Sequence, residues 1–260
     1  MLTPEEEALR EQDAARLAER LAASSPAPAE SPAPMLPVAQ LYLRDVPLLR
    51  PPGQADLLQI LWCPYEHEPD YKPATALFWR SAAEVGDVLA APPEPYEADC
   101  PGYVPEPCLL APEETTEYPN SLDLSPELQR MLEDWTRWQA AGADVDSSYA
   151  EYPLDFYFTH LGNAPGWKVG GWPPWGRTDP YPRYCSVCEA RMVPLLTIAS
   201  WEWGGDGGWV PQEDQAQAAR SHWAGQDPSQ PTGVEVGSTD NMQIYVCPTS
   251  PEHPHTDLIQ

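Results

Sequence analysis

Lysine is almost missing from this chain. Lys72 and Lys168 are its two lysines, and arginine raises the basic total to 14 against 40 acidic residues. A formal net charge of −26 argues against binding nucleic acid and against attachment to an anionic membrane, because both surfaces repel a chain of that sign. If the charge selects a partner at all, it selects a protein with a basic face. Phenylalanine is scarce as well, 3 residues against 11 Trp and 12 Tyr. Trp and Tyr carry a large apolar body with a polar tip, which suits a core of short strands and hydrogen-bonded loops. No apolar run reaches the roughly 18–20 residues that a membrane helix needs. The acidic Met1–Glu11 stretch lacks the basic start and apolar centre of a signal peptide, and no Asn-x-Ser/Thr sequon occurs, so a cytoplasmic protein is expected. Gly-x-Ser-x-Gly, His-Glu-x-x-His and a Walker loop are all missing, which removes the commonest hydrolase and nucleotide-binding signatures.

What is present falls into three parts. Residues 1–25 predict an acidic helix: Thr3 stands at the N-cap, Pro4 opens the first turn and Glu6 completes a capping box. Its apolar content is thin, so the helix is marginal by itself. Residues 26–37 alternate Pro with Ala, Ser and Glu and read as a stiff, solvated linker. Residues 38–260 form the folded domain, expected to be α+β with predominantly antiparallel β. Strands are predicted at Leu41–Arg44, Leu57–Trp62, Thr75–Arg80, Leu154–Thr159, Pro194–Ile198 and Gln243–Cys247 from alternation and from β-branched and aromatic content. One amphipathic helix is predicted at about 125–141. Ser125 caps it, Pro126 opens it, Gly142 stops it, and Leu128, Met131, Leu132, Trp135 and Trp138 form a stripe suited to core packing.

The strongest chemical signal is Cys185-Ser186-Val187-Cys188. Two cysteines at this spacing in a tight turn can hold one tetrahedral zinc ion, with the backbone N–H groups of the turn offsetting the thiolate charge. A thioredoxin-type pair would open a helix after a strand. Here Pro180 and Pro182 precede the pair and strand-like sequence follows it, so a structural zinc knuckle is favoured. Cys247 with His253 or His255 could complete the site, and so could Cys63 with His67. The preferred set is Cys185, Cys188, Cys247 and His253. Cys100 and Cys108 flank a proline-rich loop and suggest no ligand geometry. The loop Trp201-Glu202-Trp203-Gly204-Gly205-Asp206-Gly207-Gly208-Trp209 is glycine-rich, but it has no lysine and no following helix to aim amides at a phosphate. It reads as a loop between strands.

Lys168-Val169-Gly170-Gly171-Trp172-Pro173-Pro174-Trp175 resembles the (K/R)-(I/V)-G-G-(Y/W)-P signature of the YwqG-like family. Leu195–Ser200 and Ile244–Cys247 are similar to two further strands of that family in the same order. Leu61-Trp62-Cys63-Pro64 and His67 resemble its actinobacterial branch. Where the family often has Gly-Asp-x-Gly, this chain has Ser238-Thr239-Asp240-Asn241. The resemblance implies a β-rich roll and brings no activity with it.

Two functional expectations follow. The leading one is a non-catalytic binding or interaction module, of an immunity or regulatory type, whose acidic surface meets a basic protein. Lys168, Gly170, Gly171, Trp172, Trp175, Trp201 and Trp203 are its candidate binding residues. The alternative is an enzyme or small-ligand binder with a pocket walled by Trp167, Trp172, Trp175, Trp201 and Trp203. For acid–base work it could draw only on Asp155, His160 and Lys168.

Overall fold

The computed structural model describes residues 34–95, 98–144, 147–204, 209–218 and 227–260. The expected N-terminal helix, most of the linker and residues 205–208 of the glycine-rich loop lie outside them. The chain divides into two compact units, Met1–Ala111 with Pro211–Thr239, and Pro112–Val210 with Asp240–Gln260. Both are built on an antiparallel sheet with few helices, so the fold is α+β and mostly antiparallel β. Among the described residues no helix is long and apolar enough to cross a membrane.

In the first unit, β1 (Leu36–Tyr42), β2 (Leu57–His67) and β3 (Lys72–Arg80) form a meander in sequence order. The strand alternation of β2 is real: Leu58, Ile60, Trp62 and Pro64 are buried while Gln59, Leu61 and Cys63 are less so. Trp62 anchors the unit. Its indole N–H donates to the Tyr103 carbonyl at 2.8 Å, and the two rings meet edge to face at 5.9 Å. The Tyr103 hydroxyl in turn donates to Glu66 at 2.9 Å. Burial and that carboxylate together push the Tyr103 phenol well above its ordinary range. Gly102 packs flat against Glu235, and the Glu235 N–H donates to the Gly102 carbonyl at 3.0 Å.

The second unit carries the predicted helix region, and the structure corrects it twice. Ser125 caps as expected, accepting from the Leu128 N–H at 3.3 Å. The single helix is however two: α1 (Pro126–Leu132) and α2 (Trp135–Ala140). Asp134 causes the break. Its carboxylate accepts from the Thr136 N–H and hydroxyl, and this local capping replaces the hydrogen bonds that would continue the helix. The stripe is not core either, since α1 has no buried residue and Leu128 and Met131 are exposed. Trp135 and Trp138 instead lie edge-on to Phe156, at 5.8 and 5.0 Å.

Phe156 marks a further correction. Leu154–Thr159 is not a strand but part of α3 (Pro153–His160). Pro153 at the first helical position and Asp155 in the first turn are helix-start chemistry. The period that matters is four: Pro153 and Tyr157 are buried, and Phe156 meets His160 ring to ring at 4.8 Å.

The sheet of the second unit has the order β4 (Lys168–Val169), β5 (Val193–Ala199), β6 (Asn241–Val246) and β7 (Thr256–Ile259), all antiparallel. β5 and β6 are central and covered on both faces, so Leu195 to Ala199 and Met242 to Tyr245 are buried without alternation. β4 and β7 were not expected. One has two residues and the other four, too short to display a period.

Gly102 yields a test of this packing. A Cβ there would sit 2.6 Å from the Glu235 Cβ and 2.9 Å from its backbone N and O. Gly102→Ala is expected to cost about 1–3 kcal/mol in urea denaturation, the range of an overpacked core. A change within experimental error would contradict the contact.

Candidate metal centre

The residues after Pro182 form a tight hairpin. Tyr184 bridges Arg191, the Cys185 N–H donates to the Ala190 carbonyl at 2.9 Å, and the Glu189 N–H donates to the Cys185 carbonyl at 2.9 Å. Glu189 turns the corner with φ of 57°. The turn aims amides at sulfur: the Val187 N–H lies 3.4 Å from Cys185 Sγ, and the Ala190 N–H donates to the Cys188 sulfur. A second, similar turn leaves β6. There the Thr249 and Ser250 N–H groups donate to the Cys247 sulfur, and the His253 N–H donates to the Ser250 carbonyl at 3.2 Å.

Strand register joins the two turns. Val193 pairs with Val246, so the residues entering β5 and those leaving β6 lie at the same end of the sheet. Cys185, Cys188, Cys247 and His253 converge there with ligand atoms all within 4.8 Å of one another. His253 Nδ1 is 3.3 Å from Cys247 Sγ and 3.4 Å from Cys185 Sγ, and the Cys188 and Cys247 sulfurs are 3.5 Å apart. Four ligands around a tetrahedral ion with Zn–S of about 2.3 Å would be roughly 3.8 Å apart, so the donor set and its spacing fit a metal ion. Cys185 and Cys247 are buried against Met192 and Tyr245, with Ala190 and Leu258 beside them, while Cys188 is exposed.

The sulfurs are not alike. Burial pushes the Cys247 thiol up, but the Ser250 and Thr249 N–H groups, His253 and Cys188 outweigh it and lower it to about 6. For Cys188 the Ala190 N–H lowers the value, and the Cys247 sulfur, burial and Cys185 together raise it above the ordinary thiol range. Of the open choices in the sequence, His253 belongs to the cluster. His255 does not join it, and Cys63 and His67 lie on β2 of the first unit.

The Lys168–Trp175 motif, named above as a candidate binding site, is built around a buried ion pair. It encloses a carboxylate, Glu117, which sequence reasoning missed. Lys168 Nζ is 2.8 Å from Glu117 Oε2, with both side chains largely buried. The Ala164 and Trp172 N–H groups donate to the same carboxylate. Gly170 and Gly171 have φ of 70° and 74°, and a Cβ on Gly171 would collide with the Glu117 oxygen. Two glycines in a row therefore let the backbone reverse and approach the carboxylate. Burial lowers the Lys168 ammonium below its ordinary range, and the bond to Glu117 opposes that.

The tryptophans divide. Trp175 and Trp203 are buried, Trp167 and Trp201 are half-buried and Trp172 is 42% exposed. The indole N–H of Trp167 donates to the Ala199 carbonyl at 2.9 Å, and that of Trp175 to Asp123 at 2.8 Å. His160 packs edge-on to Tyr149 at 5.4 Å, and Lys168 is held by Glu117. Comparison with protein-family models, with curated proteins and with solved structures found no match.

Removing one partner of a buried ion pair strands the other charge. Glu117→Ala should therefore cost about 3–5 kcal/mol in chemical denaturation, and Glu117→Ala with Lys168→Met should recover part of that loss. A cost near zero for the single variant would show that the carboxylate holds nothing. Glu202 supplies a pH test. Burial raises its carboxyl above the ordinary range, and the Trp167 N–H opposes this only in part. A raised folded value means stability is lost as pH rises through it. Glu202→Gln should thus be more stable than the parent at neutral pH, with the advantage vanishing below about pH 4. A gain independent of pH would contradict the assignment.

Proposed function

We propose that this chain is a non-catalytic binding or interaction protein whose second unit is tied together by a structural zinc ion on Cys185, Cys188, Cys247 and His253. The convergence of these four ligands, with the cluster complete from protein atoms alone, carries the reading. Catalytic zinc ordinarily keeps one position for water or substrate, whereas structural zinc is closed by four protein ligands rich in cysteine. The location agrees with a structural role, because the cluster ties the hairpin before β5 to the turn after β6 on a small apolar base. Bound there, zinc would join segments about sixty residues apart in sequence, and its binding energy would become folding energy. The resemblance of the Lys168–Trp175 motif to the YwqG-like family adds a family to the proposal and no activity.

The partner proposed is a protein with a basic face. The net charge of −26 supports it, because charge complementarity speeds encounter and disfavours acidic competitors.

Metal content of protein purified without a histidine tag, measured by mass spectrometry, is expected to approach one zinc per chain. Cys185→Ser should release the metal and lower the melting temperature, each ~1 kcal/mol lost being worth roughly 2–8 °C in a domain of this size. Substoichiometric zinc, with the four ligands' thiols and imidazole open to reagents in the native state, would reduce the cluster to two neighbouring turns. For the partner, capture from the native host should recover a basic protein at low salt and lose it as salt rises. Recovery of none at either ionic strength counts against the interaction reading.

A further inference from the structure

We propose that Cys188 is a site of oxidation by hydroperoxides, and that its oxidation joins it to Cys247 and dismantles the metal cluster. The inference rests on the zinc reading for its second half and on geometry alone for its first. Cys188 is the exposed cysteine of the set, while Cys185 and Cys247 are buried. Its flanking residues Val187 and Glu189 are exposed too, so this residue lies at the solvent side of the cluster.

Spacing in sequence would pair Cys188 with Cys185. The structure favours Cys247. The Cys188 and Cys247 sulfurs stand 3.5 Å apart; Cys185 and Cys247 are equally buried and both touch His253 Nδ1, at 3.4 and 3.3 Å, so the short sulfur–sulfur approach makes the choice. A bridge from Cys188 to Cys247 needs the Cys188 sulfur to close on a neighbour already 3.5 Å away.

The chemistry balances with one peroxide. The Cys188 sulfur attacks a peroxide oxygen and the O–O bond breaks. The departing hydroxide takes a proton to leave as water, and Cys188 becomes a sulfenic acid. The Cys247 sulfur then attacks the Cys188 sulfur. The S–S bond forms, the S–O bond breaks, and the second hydroxide leaves as water after taking another proton. Two electrons have passed from the pair of thiolates to the peroxide. Only Cys185 and His253 then remain as ligands, and two ligands do not retain a structural zinc.

The test uses the intact, reduced chain, with zinc measured before and after a stoichiometric addition of hydrogen peroxide. Released metal is followed with a chromogenic chelator, and disulfides are mapped on peptides without reduction. The expected result is loss of the bound zinc in step with a Cys188–Cys247 linked peptide, lighter than its two parts by two hydrogens, and recovery of zinc binding after a dithiol reductant. A Cys185–Cys188 bridge, or oxidation of Cys188 with the zinc retained, overturns the inference. Protein that holds no zinc as purified would remove the zinc reading instead. The same peptide map would still decide the linkage, upheld by the Cys188–Cys247 bridge and overturned by any other.

Discussion

The antiparallel ladder between β5 and β6, with Val193 opposite Val246 and Ala199 opposite Asn241, sets the position of nearly everything chemical in the second unit. Two chain segments far apart in sequence enter and leave this ladder at one end. Each carries a turn whose amides point at cysteine sulfur. A one-residue slip would move every side chain of the ladder to the opposite face. Burial prevents it: Leu195 to Ala199 and Met242 to Tyr245 are covered on both sides, and Thr197 and Gln243, paired in register, are buried among them. The cluster geometry is thus inherited from an apolar ladder rather than imposed by the ligands.

The opposite edge of the same sheet depends on Glu117. A carboxylate this buried needs donors, and it gets them from Lys168 and from the amides of Ala164 and Trp172. The glycine pair exists to bring those amides close. The two features lie on different strands and do different work. One gathers the four candidate metal ligands, and the other fixes how the chain leaves β4 toward the Trp175 indole and its bond to Asp123.

Much of the fold was legible where the residues themselves carry the cause. β2 and β3 lie where alternation put them, longer by a few residues at their ends, and β5 and β6 match the apolar runs. The Ser125 cap and the Gly142 stop are both present, the latter with φ of 106°. The misses have local causes. In Leu154–Thr159, six residues of mixed aromatics satisfy a period of two and a period of four at once, and Pro153 was the decisive signal. In 125–141, Asp134 lies mid-stripe, and an acidic residue two before a threonine is a cap in waiting. Glu117 has no motif. Nothing in Thr115–Tyr118 announces a carboxylate that will be buried fifty residues away beside Lys168.

For the candidate centre, the sequence by itself determined the donors. A Cys-x-x-Cys among prolines and a Cys followed at short range by histidines are local patterns, and the sulfur-directed amides follow from the turns those patterns make. Which distant half completes the set was a tertiary decision. Cys63 with His67 offered the same chemistry as Cys247 with His253, and the local pattern that put the latter pair first could not bring it near Cys185. The pairing of β5 with β6 did, because ligand convergence depends on distance in space, and distance between remote segments is set by which strands share a ladder.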